Sequence, residues 1–290
     1  MKPEFPTLCS LPLKRWKSWA LLLLSAAQTA FVIPAHSLEL DEFPALVQDT
    51  VNTLSQGGTV SGAVAADALG EPLFSININR DGTDRRWTLD TNGVPISASV
   101  RLQETPEAVQ KTIQQLGAKA GTVTEILRSY ENGKVVYEPN FHSESFDRTY
   151  TMDAAGTVTN WQIPLSEVPQ RILKRSAAIF KGSPLKQCFY SEEDKEPLFT
   201  LSASQASGPH WVTFDSKGDI SEEEQIIPWE AAPEPLQNAV IQKVGTKNHV
   251  RILRLKEEES LHYEVWTFTG AKLVIFWVLS DGSVSTTAPQ

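Results

Sequence analysis

Most of the chain alternates between apolar and polar residues, and four stretches of helical period interrupt that alternation at even intervals. Each interruption opens on a proline: Pro44, Pro106, Pro169 and Pro233, spaced 62, 63 and 64 residues apart. Three residues after each proline stands Val47, Val109, Ile172 or Leu236, and seven after it Val51, Ile113, Ser176 or Val240. Spacing of three and four on one face predicts an amphipathic helix. Proline is tolerated at such a start because the N–H it lacks would be unpaired there anyway.

The alternating runs that follow carry recurring landmarks. An aromatic stands near the thirtieth position after the proline, as Phe74, Tyr137, Phe199 and Tyr263. A glycine stands about 49 residues after it, as Gly93, Gly156, Gly218 and Gly282. Asp90, Asp153 and Asp215 precede the first three glycines by three residues, and Leu279 takes that place in the fourth. Helix, aromatic and glycine recur in one order, the mark of an internal repeat. In the second copy the helix is expected over 106–116 and strands over 122–130, 134–142, 147–153 and 157–163, with Asn132-Gly133 and Ala155-Gly156 as turns.

The expected fold class is therefore α+β. Tandem repeats of one helix plus a four-stranded antiparallel sheet would place the helices on one face of curved sheets. The expected units are 38–102, 103–165, 166–229 and 230–290, after a leader of 1–37.

Alternation also separates the sheet faces, since successive strand side chains point to opposite sides. Phe74, Ile76 and Ile78 belong to the helix-covered face, and Ser75, Asn77 and Asn79 to the other. That second face is polar early in the chain and aromatic late, where it carries Trp211, Trp266, Phe268, Ile275 and Trp277. An apolar set on a face expected to be wet marks either packing against a neighbouring unit or a binding surface. Units of about 63 residues have marginal cores and must bury something against one another.

The unit resembles the PepSY-like family, which includes beta-lactamase-inhibitor-like domains. The resemblance rests on Glu104–Ile113 (ETPEAVQKTI), Val123–Ile126, Gly133–Glu138 and Asp153–Val158. It implies tandem units whose sheets join into a curved surface with helices behind, and an activity of binding or inhibiting peptidases or beta-lactamases. It supplies no catalytic motif. The single cysteine left after residue 37, Cys188, departs from the disulfide-bearing inhibitors.

The N-terminus changes the picture of location. Lys14-Arg15-Trp16-Lys17 precedes an uncharged apolar run from Trp19 to Ile33, and Ala35-His36-Ser37 follows. A basic segment, an apolar segment and small residues at a cut site make a secretory signal peptide. An uncleaved anchor is the alternative, but the run is short of the roughly 20 residues a spanning helix needs. An exported, periplasmic or extracellular location is expected, with no membrane span after cleavage. The whole chain has a formal charge of −9, and removal of 1–37 leaves −12. That balance argues against nucleic acid, which requires a basic face.

Candidate chemistry is thin. His142, His210, His249 and His262 show no metal-ligand spacing, so no metal and no cofactor is expected. Cys188 falls at an apolar strand position and reads as a small buried hydrophobe rather than a nucleophile. The runs Glu222–Glu224 and Glu257–Glu259 read as solvated strand ends or loops. Asp90, Asp153 and Asp215 are expected to bond their own turn backbones, since a calcium site needs more oxygens. The expected function is non-enzymatic binding, or inhibition, of a protein partner such as a peptidase or another envelope enzyme. Its candidate contacts are Trp211, Trp266, Phe268, Ile275 and Trp277. The alternative is a small-ligand or envelope-associated binding protein with a pocket between units.

Overall fold

The computed structural model describes residues 39–68, 71–144, 146–205, 208–257 and 260–289. The basic and apolar segment of residues 14–33 and the cut site at 35–37 lie outside them. Four helices head the four stretches of the chain: α1 (Ala45–Ser55), α2 (Glu107–Ala120), α3 (Gln170–Ile179) and α4 (Glu234–Val244). Each is capped by its proline, and a short 3-10 turn precedes it, as at Leu102–Glu104. The residues three and seven after each proline are all buried, none above 2% exposed.

The strands do not form separate four-stranded sheets, contrary to the expectation of repeats each with its own sheet. β1 (Thr59–Ala68), β2 (Glu71–Arg80), β3 (Thr83–Leu89) and β4 (Pro95–Ser99) are followed by β5 (Thr122–Glu131), β6 (Lys134–His142), β7 (Arg148–Asp153) and β8 (Val158–Ile163). Then come β9 (Leu185–Glu193), β10 (Glu196–Gln205), β11 (Gly208–Asp215), β12 (Ile220–Ile227), β13 (Val250–Glu257), β14 (Ser260–Thr269), β15 (Lys272–Leu279) and β16 (Val284–Ser285). All sixteen join one antiparallel sheet in chain order. The joins across the helices are ordinary ladders: Ala98 pairs with Arg128, Asn160 with Ser191, and Glu222 with Glu257. α2, α3 and α4 each lie over the sheet and return the chain to pair with the strand it left. No edge is created at the junctions, and so nothing stops the ladder.

The turns that hold helix to sheet follow from the glycine landmarks. Asp153 Oδ1 accepts the Ala155 and Thr157 N–H groups at 2.9 Å each, and the Gly156 N–H bonds the Asp153 carbonyl at 3.0 Å. Asp90 and Asp215 bond their turns the same way, as expected. Gly156 has a φ of 76° and sits so close to the Ala108 carbonyl that a Cβ would collide with it. Thr112 on α2 donates to the Gly156 carbonyl at 2.8 Å, locking turn to helix. Thr50 does the same for Gly93 at 2.7 Å.

Four apolar clusters lie under the four helices, and the alternating residues fill them as the pattern predicts. Phe74, Ile76 and Ile78 pack with Val47 and Val51, and Phe199 and Leu201 pack with Ile172 and Cys188. A fifth cluster has no helix. It joins Leu73, Val94 and Ile96 from the first strands to Leu253, Leu255 and Trp266 from the last, with Tyr130, Ile226, Leu273 and Ile275 against it. Open sheets beyond about ten strands curl as twist accumulates. Here the curl brings the beginning of the sheet onto its end.

An ion-pair cluster clasps the same junction. Arg251 on β13 is 1% exposed, and its guanidinium forks onto the Glu71 carboxylate on β2, with Nη2 to Oε2 at 3.0 Å. Asp90 Oδ2 lies 3.4 Å from Nη1. Beside it, Asn92 Nδ2 donates to the Val250 carbonyl at 3.0 Å, and Thr50 Oγ1 lies 3.4 Å from His249 Nδ1. Burial pushes Asp90 up to about 6 against the pull of Arg251.

Removing one partner of a buried pair strands the others, at a cost of about 3–5 kcal/mol. Arg251→Ala is therefore expected to lower the stability of the chain by about that amount in urea unfolding. A loss below about 1 kcal/mol would show that the junction does not depend on it.

Candidate functional site

The side chains expected to contact a partner on the helix-free face are covered. Trp266 is 0%, Trp277 3%, Trp211 4% and Phe268 7% exposed, and Ile275 is half-buried. Tyr130 of β5 meets the Trp266 indole edge-on, with ring centroids 6.1 Å apart. The tip of the β5–β6 hairpin sits on the other indole, where a Cβ on Gly133 would come within 2.6 Å of Trp277. These side chains are packing surface inside the folded chain, so none presents a free patch.

The interior also holds what looked like solvated charge. Glu222 and Glu224 are each 4% exposed on β12, Glu138 on β6 is 5% and Glu264 on β14 is 0%. Half-buried Glu131 and Glu257 flank them. The expectation of a solvated run is therefore wrong for Glu222 and Glu224. Only Glu223, on the opposite side of β12, pairs outward with Lys256 at 3.7 Å. Glu258 and Glu259 lie outside the described residues.

Burial pushes Glu138 and Glu264 up to about 7. Burial and neighbouring glutamates push Glu131 and Glu222 well above the ordinary carboxylate range. Ser129 donates to Glu138 and the Trp266 indole N–H donates to Glu264 Oε1 at 2.6 Å. Alternation on β12 shows the even spacing of Glu222 and Glu224 but not that another part of the chain lies over it. A glutamate can be buried at such a place when it is neutral.

One open cleft is lined almost wholly by polar side chains. It encloses roughly 550 Å³ of empty space, including the part open to solvent, between β3 and the strands β5 to β8. Arg86 projects from β3 and pairs with Glu125 on β5. Asn140 on β6 accepts the Thr149 hydroxyl at 2.6 Å through Oδ1. Arg148 on β7 lies 3.7 Å from Glu167 and stacks 5.9 Å from the Phe146 ring. Asp147 holds His142 at 2.7 Å, and Gln162 on β8 closes the far wall. Burial raises Glu125 although Arg86 opposes it. Two guanidinium groups against two carboxylates leave the cleft close to neutral. It offers donors and acceptors side by side. These residues stand at ordinary polar strand positions, and no spacing in the chain marks them as a group.

The remaining candidates are scattered. Cys188 is 0% exposed within the α3 cluster, and burial pushes its thiol up. His262 is buried on β14 and His142 is exposed at the cleft rim. Among the described residues no three of His, Cys, Asp and Glu converge to hold a metal. Nor is any helix among them long and apolar enough to cross a membrane.

No family model matches the chain, and no curated protein matches it significantly. Among solved structures it is similar to a Bacteroides eggerthii protein assigned to the periplasm, at 17% identity and a TM-score of 0.33, over 41% of this chain and 87% of that one. It is also similar to two DUF2874 family proteins. The one from Bacteroides uniformis shows 18% identity and a TM-score of 0.31, over 40% and 86% of the two chains. The one from Bacteroides ovatus shows 15% and 0.31, over 40% and 84%. At these scores the likeness defines neither a family nor an activity.

Truncating a buried tryptophan removes its packing and leaves a cavity, typically at about 3–5 kcal/mol. Trp266→Ala and Trp277→Ala are each expected to lose that much in urea unfolding, and their indoles to resist acrylamide quenching in the native state. A surface patch would instead give losses within about 0.5 kcal/mol.

Proposed function

We propose that this chain is an exported, non-enzymatic binding protein, and that the cleft between β3 and β5–β8 takes a small polar ligand of no net charge. Export is supported by the basic segment, apolar run and small-residue cut site at 14–37. The resemblance of its turn and helix landmarks to PepSY-like proteins favours a binding role. The cleft carries the ligand reading. It is concave, it brings together Arg86, Glu125, Asn140, Arg148, Thr149 and Gln162 from five strands, and its charges are balanced.

A ligand with a strong charge of either sign would meet attraction and repulsion from neighbouring groups of the same lining. A neutral or zwitterionic molecule rich in hydrogen-bonding groups finds both donors and acceptors there. Rigid strands rather than loops position most of the lining, so little ordering cost opposes binding.

A thermal-shift screen of the chain against amino acids, short peptides, and mono- and disaccharides tests this. At least one such compound is expected to raise the melting temperature, and the shift to vanish in Arg148→Ala and Gln162→Ala. Shifts that survive both substitutions would place binding elsewhere. No shift with any compound of the set would count against the reading.

A further inference from the structure

We propose that protons held by the interior glutamates latch the β5–β6 hairpin onto β12–β15, and that their release opens this side of the rolled sheet. Four glutamates from three strands, Glu138, Glu222, Glu224 and Glu264, are each at least nine-tenths buried on the helix-free face. Glu224 stands two residues from Glu222 on the same face of β12, and repulsion between the two carboxylates favours a proton on the pair. Glu222 Oε1 and Glu264 Oε2 are buried with no hydrogen-bond partner, as is the Trp211 indole nitrogen. Ionised carboxylates in such a place would lack the partners that burial of charge requires.

Among the described residues, no lysine or arginine is paired with Glu138, Glu222 or Glu264. β5 contributes Ser129 and Glu131, β6 contributes Glu138, β11 contributes Trp211, and β12 contributes Glu222 and Glu224. β13 contributes Leu255 and Glu257, β14 contributes His262 and Glu264, and β15 contributes Trp277. Burial lowers His262, which disfavours its cation. Lys134, across from Glu131 at the hairpin mouth, is exposed and feels Asp153. Lys256 pairs with Glu223 on the other side of the sheet, and Arg251 is engaged by Glu71 and Asp90. Glu138 takes its hydrogen bond from the Ser129 hydroxyl, and Glu264 from the Trp266 indole.

The direction follows from linkage. A carboxyl whose pKa is higher closed than open holds its proton in the closed form and sheds it in the open one. Closure is then fully present below about 4.5, the ordinary glutamate value, and weakens as pH rises toward about 7, where Glu138 and Glu264 titrate. Glu131 and Glu222, also raised by burial and by neighbouring glutamates, add to the weakening. An exported protein meets the pH of its surroundings directly, so the latch would report that pH.

Amide hydrogen exchange of the full chain at about pH 5 and about pH 8, corrected for intrinsic rates, reads the latch. Protection of the β5–β6 hairpin is expected to fall by at least about a hundredfold between the two, while β9–β10 stays protected. In Glu138→Gln/Glu264→Gln, whose amides mimic the protonated side chains, the fall is expected to shrink by at least about tenfold. An equal fall in the double variant, or none in the wild type, would overturn the proposal. Infrared spectroscopy gives a reading that needs no variant. A carboxylic-acid carbonyl band persisting at about pH 6 is expected, and its absence would overturn the proposal equally.

Discussion

The fold depends on one contact: the first strands of the sheet lying against the last. Sixteen antiparallel strands in chain order would otherwise make a long ribbon with one covered face and one wet face. The roll removes much of that wet face. Leu73, Val94 and Ile96 meet Leu253, Leu255 and Trp266, and Arg251 binds Glu71 and Asp90 beside them. The apolar cluster supplies the attraction, while the buried ion pairs fix which strands meet. Ion pairs of this kind add little net stability over apolar replacements, but they penalise a wrong register heavily.

The same roll explains the two other unusual features. It covers the tryptophans of the late strands, and it traps glutamates that a flat sheet would leave in water. Beyond the overlap the helix-free side stays open, and there the polar cleft lies between β3 and β8. Stability and site thus come from one geometric act, closing one part of a curved surface and leaving another exposed. If the interior carboxyls control how firmly the closed part holds, they act on the strands β5 and β6 that also carry Glu125 and Asn140.

Much of the local structure was legible in the chain. Proline starts, helical spacing, alternation and the Asp-x-x-Gly turns placed α2 and β5 to β8 within a few residues, because each rests on short-range sterics and hydrogen bonding. The inward set of Phe74, Ile76, Ile78 and their counterparts followed from period two alone. Pairing across the helices was not legible. Whether Ser99 finds Leu127 or an open edge depends on where α2 lets the chain return.

The second face was ambiguous for a physical reason. Alternation says that Trp266 and Glu264 share a side; it does not say whether water or Tyr130 meets that side. The glutamate runs misled for the same cause, since ionised glutamate belongs outside and only a shifted one can stay in. The cleft residues gave no signal, because Arg86, Asn140 and Gln162 sit at unremarkable polar positions on separate strands. A double-mutant cycle on Arg251→Ala and Glu71→Ala tests most directly whether the sheet's two ends hold each other. Their contact across 180 positions of chain predicts a coupling of about 1.5 kcal/mol or more in urea unfolding, whereas additivity within about 0.5 kcal/mol would contradict the rolled sheet.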